Sequence, residues 1–285
     1  MRKLFTPVAV IGVVVALTAC GSSSSSSGSK SSSAPTCKTT TTGKINPVTP
    51  DTLTVATSLP APGFWNGDDI SSLNGGYEWG MANKMAKLAG LNNVVFKNVS
   101  FDALQAGQTS GFDVALSQVT ITPDRAKVVC FTTPYFSSDQ GVLVKKGTSV
   151  ATEADAKKLK WGVQATTTGQ TFLNDKIKPD SDPRVYQDTP AMFTALGAGQ
   201  IQAVLLDTAI VLGQAASSNG QLEVAAQYKT GESYGGILQS GTKNLGFINQ
   251  YIDTMKTDGT LDQLNTEYLV PVFKGDPTKI PYLQP

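Results

Sequence analysis

Three short stretches carry side chains suited to holding a charged small molecule. In "SQVTITPDRAK", Ser117 to Lys127, an arginine stands between two mostly apolar runs, "FDVAL" and "VVCF". If Thr122 caps a short helix, Pro123 is its first residue and Asp124 its second, and both types suit those positions. Arg125 then falls in the first turn, where the helix dipole disfavours a cation by about 0.3–1 kcal/mol. A guanidinium kept there is fitted to bind an anion, and its planar fork matches both oxygens of a carboxylate. Gln118 and the Thr120 hydroxyl stand on the same segment. In "WGVQATTTGQTF", three threonines including Thr167 and Thr168 separate Gln164 from a helix start. Free N–H groups and hydroxyls there form an anion site, although one threonine would also serve as a plain N-cap. In "QAVLLDTAIVL", Asp207 ends an apolar run; it either pairs with a ligand cation or caps the helix that follows. Together, an arginine, a hydroxyl-rich helix start and one carboxylate are the partners an α-amino acid zwitterion needs.

Such residues act together only if elements end where they stand. "TLTVATS" and "NVVFKNVSF" read as strands, with "FDVALSQ" as a third. Between the first two, "GYEWGMANKMAKLAG" spaces Tyr77, Met81, Met85 and Leu88 as a helix that Gly90 stops. After the strand "GVLVKKG" the alternation starts afresh. "KWGVQ", "RVYQ", "IQAVLLD" and "LEVAAQ" are strands. "EADAKKL", "TTGQTFLNDKI", "TPAMFTALGAGQ" (capped by Thr189) and "TAIVLGQAAS" are helices. This order predicts an α/β fold with two mostly parallel sheets and right-handed crossovers. Ligands gather beyond the carboxyl ends of strands in such sheets. Extended segments near Val142–Lys146 and Tyr234–Gln239 suggest two lobes joined by two hinge strands. One lobe takes 51–143 with 236–285, including the closing helices, and the other takes 144–235.

The chain has 285 residues and no histidine, which removes the commonest general base and metal ligand. Arg2 and Lys3 precede the apolar "LFTPVAVIGVVVALTA", too short for a comfortable membrane span and shaped like a signal peptide, 1–19. "LTAC" resembles the lipobox of bacterial lipoproteins, with Cys20 as the lipidated residue. A flexible Ser/Thr-rich tether, 20–50, follows. Cleavage leaves 21 Lys+Arg against 22 Asp+Glu, which gives no basic footprint for nucleic acid or a membrane surface. Cys37 and Cys130 remain, either as one disulfide or as a buried thiol beside an incidental cysteine.

From Leu53 to Leu269 the motifs resemble the solute-binding proteins of polar amino acid ABC transporters. The matching segments are "LTVATS", "VSFDAL", "FDVALSQVTITPDRAKVVCFTTPYFSSDQGVLVKKG", "WGVQATTTGQ", "GQIQAVLLDTAIV" and "MKTDGTLDQLNTEYL". The resemblance implies the type II periplasmic binding fold, no enzymatic activity and no cofactor or metal. It implies that Arg125 and the backbone of Thr120 and Thr168 hold a ligand carboxylate while Asp207 takes the ammonium. Phe101 and Phe64 or Trp65 would line the side-chain pocket, with Gln118 and Gln164 as polar contacts. Ser58 stands where binders of basic amino acids commonly carry an acid, and Gln118 replaces the family's usual glycine. Glu78 and Asp113 fit family positions with structural roles. The implied function is a lipid-anchored, monomeric capture protein that closes on a free amino acid and delivers it to a permease. The alternatives are a dehydratase on the same fold, of the cyclohexadienyl dehydratase type, and a binder of a modified amino acid or opine.

Overall fold

The computed structural model describes residues 35–39, 41–274 and 277–285. The expected signal peptide and Cys20 lie outside these residues. Among the described residues, no helix is long and apolar enough to cross a membrane.

The chain opens with β1 (Thr52–Thr57), a β-branched run that is buried throughout. Next comes α1 (Tyr77–Ala89), which buries Tyr77, Glu78, Met81, Ala82, Met85 and Ala86 and stops at Gly90 with φ 70°. Then follow β2 (Asn93–Asn98), α2 (Phe101–Gln105), β3 (Val114–Ala115) and β4 (Cys130–Phe131). The next part holds β5 (Phe136–Lys145), α3 (Glu153–Lys157), β6 (Trp161–Gln164), α4 (Thr168–Phe172) and β7 (Arg184–Tyr186). After it come α5 (Thr189–Gly197), β8 (Ala203–Asp207), α6 (Thr208–Ser217) and β9 (Leu222–Tyr234). The chain closes with β10 (Ile237–Leu238), α7 (Leu245–Thr257), α8 (Thr260–Leu264), α9 (Val270–Phe273) and β11 (Tyr282–Leu283).

Two sheets result, in the orders β2-β1-β3-β10-β4 and β11-β9-β5-β8-β6-β7. The parallel pairs expected from the alternation are β1 with β2 and β3, and β6 with β7 and β8. Antiparallel return strands make each sheet mixed: β10 runs against β3 and β4, and β5 against β8 and β9. The chain passes between the sheets twice, after β4 and after β9. The two passages lie side by side, with Phe136 opposite Tyr234 and Ser138 opposite Glu232. The first passage thus precedes Val142–Lys146; Val142 to Lys145 instead pair inside the second sheet with β8 and β9.

Other differences have local causes. Residues 35–50 were expected as tether, yet part of them packs. Ile45 is buried, Asn46 exchanges hydrogen bonds with Asn244, and the Val48 N–H donates to Asp113 at 2.7 Å. The sulfurs of Cys37 and Cys130 are bonded, closing a link across 93 residues. Helix α5 is capped by Asp188, whose side chain accepts from the Ala191 N–H at 2.8 Å, so Thr189 is already helical. The C-terminal end returns to the second sheet: β11 pairs with β9, and Gln227 donates to the carbonyls of Pro277 and Ile280.

Candidate ligand-binding site

A cavity of about 800 Å³ opens where strands of both sheets end. Residues beyond β1 (Ser58 to Pro62), β2 (Asn98 to Phe101) and β3 (Ser117, Gln118, Thr120) line one side. Residues at the ends of β6 (Gln164, Thr167, Thr168), β7 (Gln187 to Pro190) and β8 (Leu206, Asp207) line the other. All are carboxyl ends, where each strand hands its chain to a turn and leaves backbone and polar side chains free.

Arg125 is buried at the rim of the first sheet. The Thr122 hydroxyl accepts from the Arg125 N–H at 3.2 Å, but the helical turn is the three-residue 3-10 turn Arg125–Lys127 with Asp124 at its cap position, so Pro123 and Asp124 are not its first residues as expected. Nε donates to Gln105 Oε1 at 2.6 Å, one terminal nitrogen to the Thr120 carbonyl at 2.8 Å, and the other to the Thr166 carbonyl at 3.0 Å. Its carbon lies 5.6 Å from the centre of the Phe101 ring, a cation–π contact. Burial pushes the guanidinium below its ordinary value, and the carboxylates of Asp207 and Glu232 oppose that shift.

The three threonines divide their work. Thr166, at φ 64°, turns its carbonyl to Arg125 and Gln105. Thr167 is the N-cap of α4: its hydroxyl accepts from the Gln170 N–H at 3.1 Å and donates to the Gln164 carbonyl. The Thr168 hydroxyl donates to Glu232 Oε2 at 2.9 Å.

Asp207 stands at the start of α6 but makes no capping hydrogen bond. Its Oδ1 accepts from Gln140 Nε2 at 2.5 Å and its Oδ2 from the Tyr234 hydroxyl at 2.8 Å. Burial first, and then the charge of Glu232, push its carboxyl up to about 7, against the pull of Tyr234, Gln140 and Arg125.

Two expected pocket residues are elsewhere. Phe64 and Trp65 do not line the cavity; both are buried in the core of the first sheet. The Phe64 carbonyl is held by the N–H groups of Glu78 and Trp79 at the start of α1, which turns the loop inward. Its ring meets Tyr77, Phe136 and Tyr234 edge-on. The Trp65 indole N–H donates to Glu78 Oε2 at 2.7 Å and to the Leu116 carbonyl at 3.2 Å.

Gln118 lines the cavity, but its hydrogen-bond donors are taken up by Glu78 rather than by Asp207 or Glu232. The backbone adopts φ 48°, which explains why a glycine suits this position. Its N–H and its side-chain amide both donate to the carboxylate of Glu78. Glu78 is fully buried, takes further bonds from Trp65 and Tyr135, and is pushed above the usual carboxylate range by burial. Asp113 receives the N–H groups of Val48 and Thr54, a structural role. Ser58 and Gln164 both border the cavity. The Ser58 N–H donates to the Ser117 hydroxyl, and the Gln164 amide reaches the Gln187 carbonyl at 3.5 Å.

Sequence reasoning missed four members of the network: Gln105, Gln140, Glu232 and Tyr234. Gln140 carried a signal, being a lone amide inside the apolar strand "QGVLV". The other three lie in segments whose pairing is set by distant residues.

The first sheet's strand ends, the second sheet's strand ends and the antiparallel return strands together define a known architecture. The family model for bacterial extracellular solute-binding proteins, family 3, matches residues 53–271. The L-cystine-binding protein TcyJ of Escherichia coli (strain K12) is 32% identical over 222 residues, covering 76% of this chain and 80% of that protein. The glutamine-binding protein GlnH of Bacillus subtilis (strain 168) is 29% identical, covering 72% of this chain and 74% of its own. Among solved structures, an ancestral arginine-binding protein bound to glutamine is 31% identical with a TM-score of 0.68, covering 77% of this chain and 98% of that one. The solute receptor for L-cysteine of Neisseria gonorrhoeae is 26% identical with a TM-score of 0.69, covering 80% and 94%. The fold is thus that of the type II periplasmic binding proteins, and the chain belongs to the bacterial extracellular solute-binding proteins, family 3.

Proposed function

We propose that this protein captures a free polar amino acid between two lobes, each built on one sheet, and hands it to an ABC transporter permease. The observation that carries the reading is the convergence of Arg125, Thr120, Thr168 and Asp207 on one cavity at the strand ends of both sheets. Arg125 and the segments around Thr120 and Thr168 hold the carboxylate, and Asp207 accepts from the ammonium. Phe101 packs along the ligand. A cavity of about 800 Å³ is within the usual range for small-molecule sites and leaves room for a long side chain. Relatives named for cystine, histidine, arginine and glutamine binding support an amino acid as the ligand class. Contacts from both lobes to one zwitterion favour the closed arrangement, so binding drives hinge closure. Cleavage before Cys20 and lipidation there would hold the monomeric protein on the outer face of the cell membrane. Mass spectrometry of the membrane-bound protein tests that anchor. The capture role is tested by melting the protein with each of the twenty common L-amino acids and L-cystine. A ligand at ~100 times its dissociation constant adds about 2.7 kcal/mol. A panel in which none raises the melting temperature overturns the amino-acid reading.

A further inference from the structure

The strand that leaves the second sheet brings another carboxylate into the site. Glu232, near the end of β9, places Oε2 within hydrogen-bond reach of three donors. These are the Thr120 hydroxyl at 3.0 Å, the Thr168 hydroxyl at 2.9 Å and Gln140 Nε2 at 3.0 Å. The position is built into the backbone. Thr120 bridges Tyr234, the Ile121 N–H donates to the Ser233 carbonyl, and the Gly235 N–H donates to the Val119 carbonyl. Segment 119–121 and segment 233–235 are therefore laced together, and Glu232 emerges beside the Thr120 side chain.

Gln140 is the second fixed point. It is fully buried in β5, directly opposite Asp207 in β8. One amide nitrogen donates both to Asp207 Oδ1 and to Glu232 Oε2, so two carboxylates meet at a single NH2 group. The charge of Glu232 beside it disfavours ionising Asp207, which burial already holds above the usual carboxylate range. The charged and titratable groups facing it are few. Arg125 approaches from the turn after β3 and Tyr234 from β9, while β5 and α4 contribute the neutral Gln140 and Thr168. One cation thus faces two acids.

We propose that Glu232 is a second carboxylate of the ammonium subsite, and that the ligand's ammonium group replaces the proton that Asp207 carries beside it. The exchange balances: the protonated Asp207 carboxyl and a zwitterion give the complex and one proton released to solvent. An ammonium has three N–H bonds, enough for Asp207, Glu232 and the Thr120 oxygen together. The elevated carboxyl of Asp207, at about 7, places this exchange in the neutral range. The proton competes with the ligand, so affinity falls as pH drops below 7, by up to about tenfold per unit. This inference rests on the amino-acid reading, and the experiment separates the two.

The test is calorimetric titration of the protein with whichever of the twenty L-amino acids or L-cystine gives the largest melting shift. It is run in buffers of different ionisation enthalpy from pH 5.5 to 8.5, and the buffer dependence of the heat counts protons. The expected result for the native protein is release of about half a proton at pH 7, rising towards one at pH 5.5 and vanishing by pH 8.5. Glu232→Gln should release clearly fewer protons at pH 7 and flatten the affinity profile between pH 5.5 and 7. A compound that binds the native protein with no buffer-dependent heat at any pH overturns the proton exchange at Asp207 and leaves the amino-acid reading intact. So does Glu232→Gln binding with unchanged proton release and affinity within twofold of native. If none of the panel binds, both readings fall. Because the native titration alone decides whether a proton leaves, a Glu232 variant that fails to fold does not shield the proposal.

Discussion

Replacing Asp207 by Asn separates what the carboxylate costs the fold from what it does for a ligand. The carboxyl is fully buried, and its folded value is raised from 3.8 to about 7. At 1.36 kcal/mol per unit, that shift sets a ceiling of about 4 kcal/mol on the penalty of carrying the ionised form at pH 8. The sign follows from proton counting. Below pH 4 the group is protonated in both the folded and unfolded chain and nothing is lost. Between pH 4 and 7 the unfolded chain releases its proton first, so folded stability falls as pH rises. Above 7 the loss is complete. Asparagine removes the charge yet keeps both bonds, because its oxygen still accepts from Gln140 and its amide donates to the Tyr234 oxygen.

The unliganded Asp207→Asn protein should therefore melt higher than the native protein at pH 8, with the gain shrinking through pH 5.5 and gone by pH 4. With roughly 2–4 °C per kcal/mol for a chain of this size, the gain is several degrees and at most about 15 °C. Affinity for the amino acid should fall by about 10–100-fold at the same time, as expected for losing a hydrogen bond to a charged group. Scanning calorimetry at pH 4, 5.5 and 8 decides the first point and titration at pH 8 the second. A variant that melts at or below the native protein at pH 8, or gains as much at pH 4 as at pH 8, refutes a strained buried carboxylate.

Other expected outcomes follow from the same geometry. The unliganded native protein should melt higher at pH 5 than at pH 8. Asp207, Glu78 and Asp113 all have carboxyls raised by burial, while carboxyls such as that of Asp258, held down at about 2, matter only in stronger acid. Arg125→Lys cannot reproduce the fork that reaches Gln105, Thr120 and Thr166, so affinity should drop by about 10-fold or more by titration. Replacing Cys37 and Cys130 together by Ser opens a 93-residue link and should lower unfolding free energy in urea by about 2–5 kcal/mol. Gln118→Gly relieves a left-handed backbone but strips one donor from Glu78. Urea melts should show a net loss of about 1 kcal/mol, with amino-acid affinity within a few-fold of native.

The legible part of this molecule is the part set by local pattern. Strand–helix alternation located the ends of β6 and β8, where Thr168 and Asp207 follow, and the segment between β3 and β4 that carries Arg125. The inward-facing arginine was readable from "TPDR", but the helix it was expected to clash with begins at Arg125 itself and ends at Lys127. What was not legible depends on partners far along the chain. The first passage between the sheets was expected too late in the chain because "VLVKK" has the same strand character whether it links sheets or lies inside one. Strands β3, β4 and β10 are two residues each, and only their non-local pairing makes them strands. Phe64 and Trp65 look like pocket aromatics until Glu78, thirteen residues beyond Trp65, is seen to draw the indole inward.

Three of the four residues missed by sequence reasoning share a location that explains the site better than those found. Gln140, Glu232 and Tyr234 all lie on β5 and β9, the two strands that carry the chain between the sheets. Each touches Asp207 directly or shares a donor with it. On the reading proposed above, a ligand ammonium at Asp207 therefore meets groups mounted on the crossing strands, while its carboxylate meets Arg125 on the far rim. The closed arrangement is favoured only by contacts that differ between open and closed states. On that reading, Glu232 lies where β9 leaves the second sheet and its surroundings change when the lobes rotate, whereas Gln140 and Asp207, paired in register, move together with that sheet. On that reading, Glu232, bonded to Thr120 after β3 and to Gln140 and Thr168 of the second sheet, is the group that joins ligand charge to lobe position.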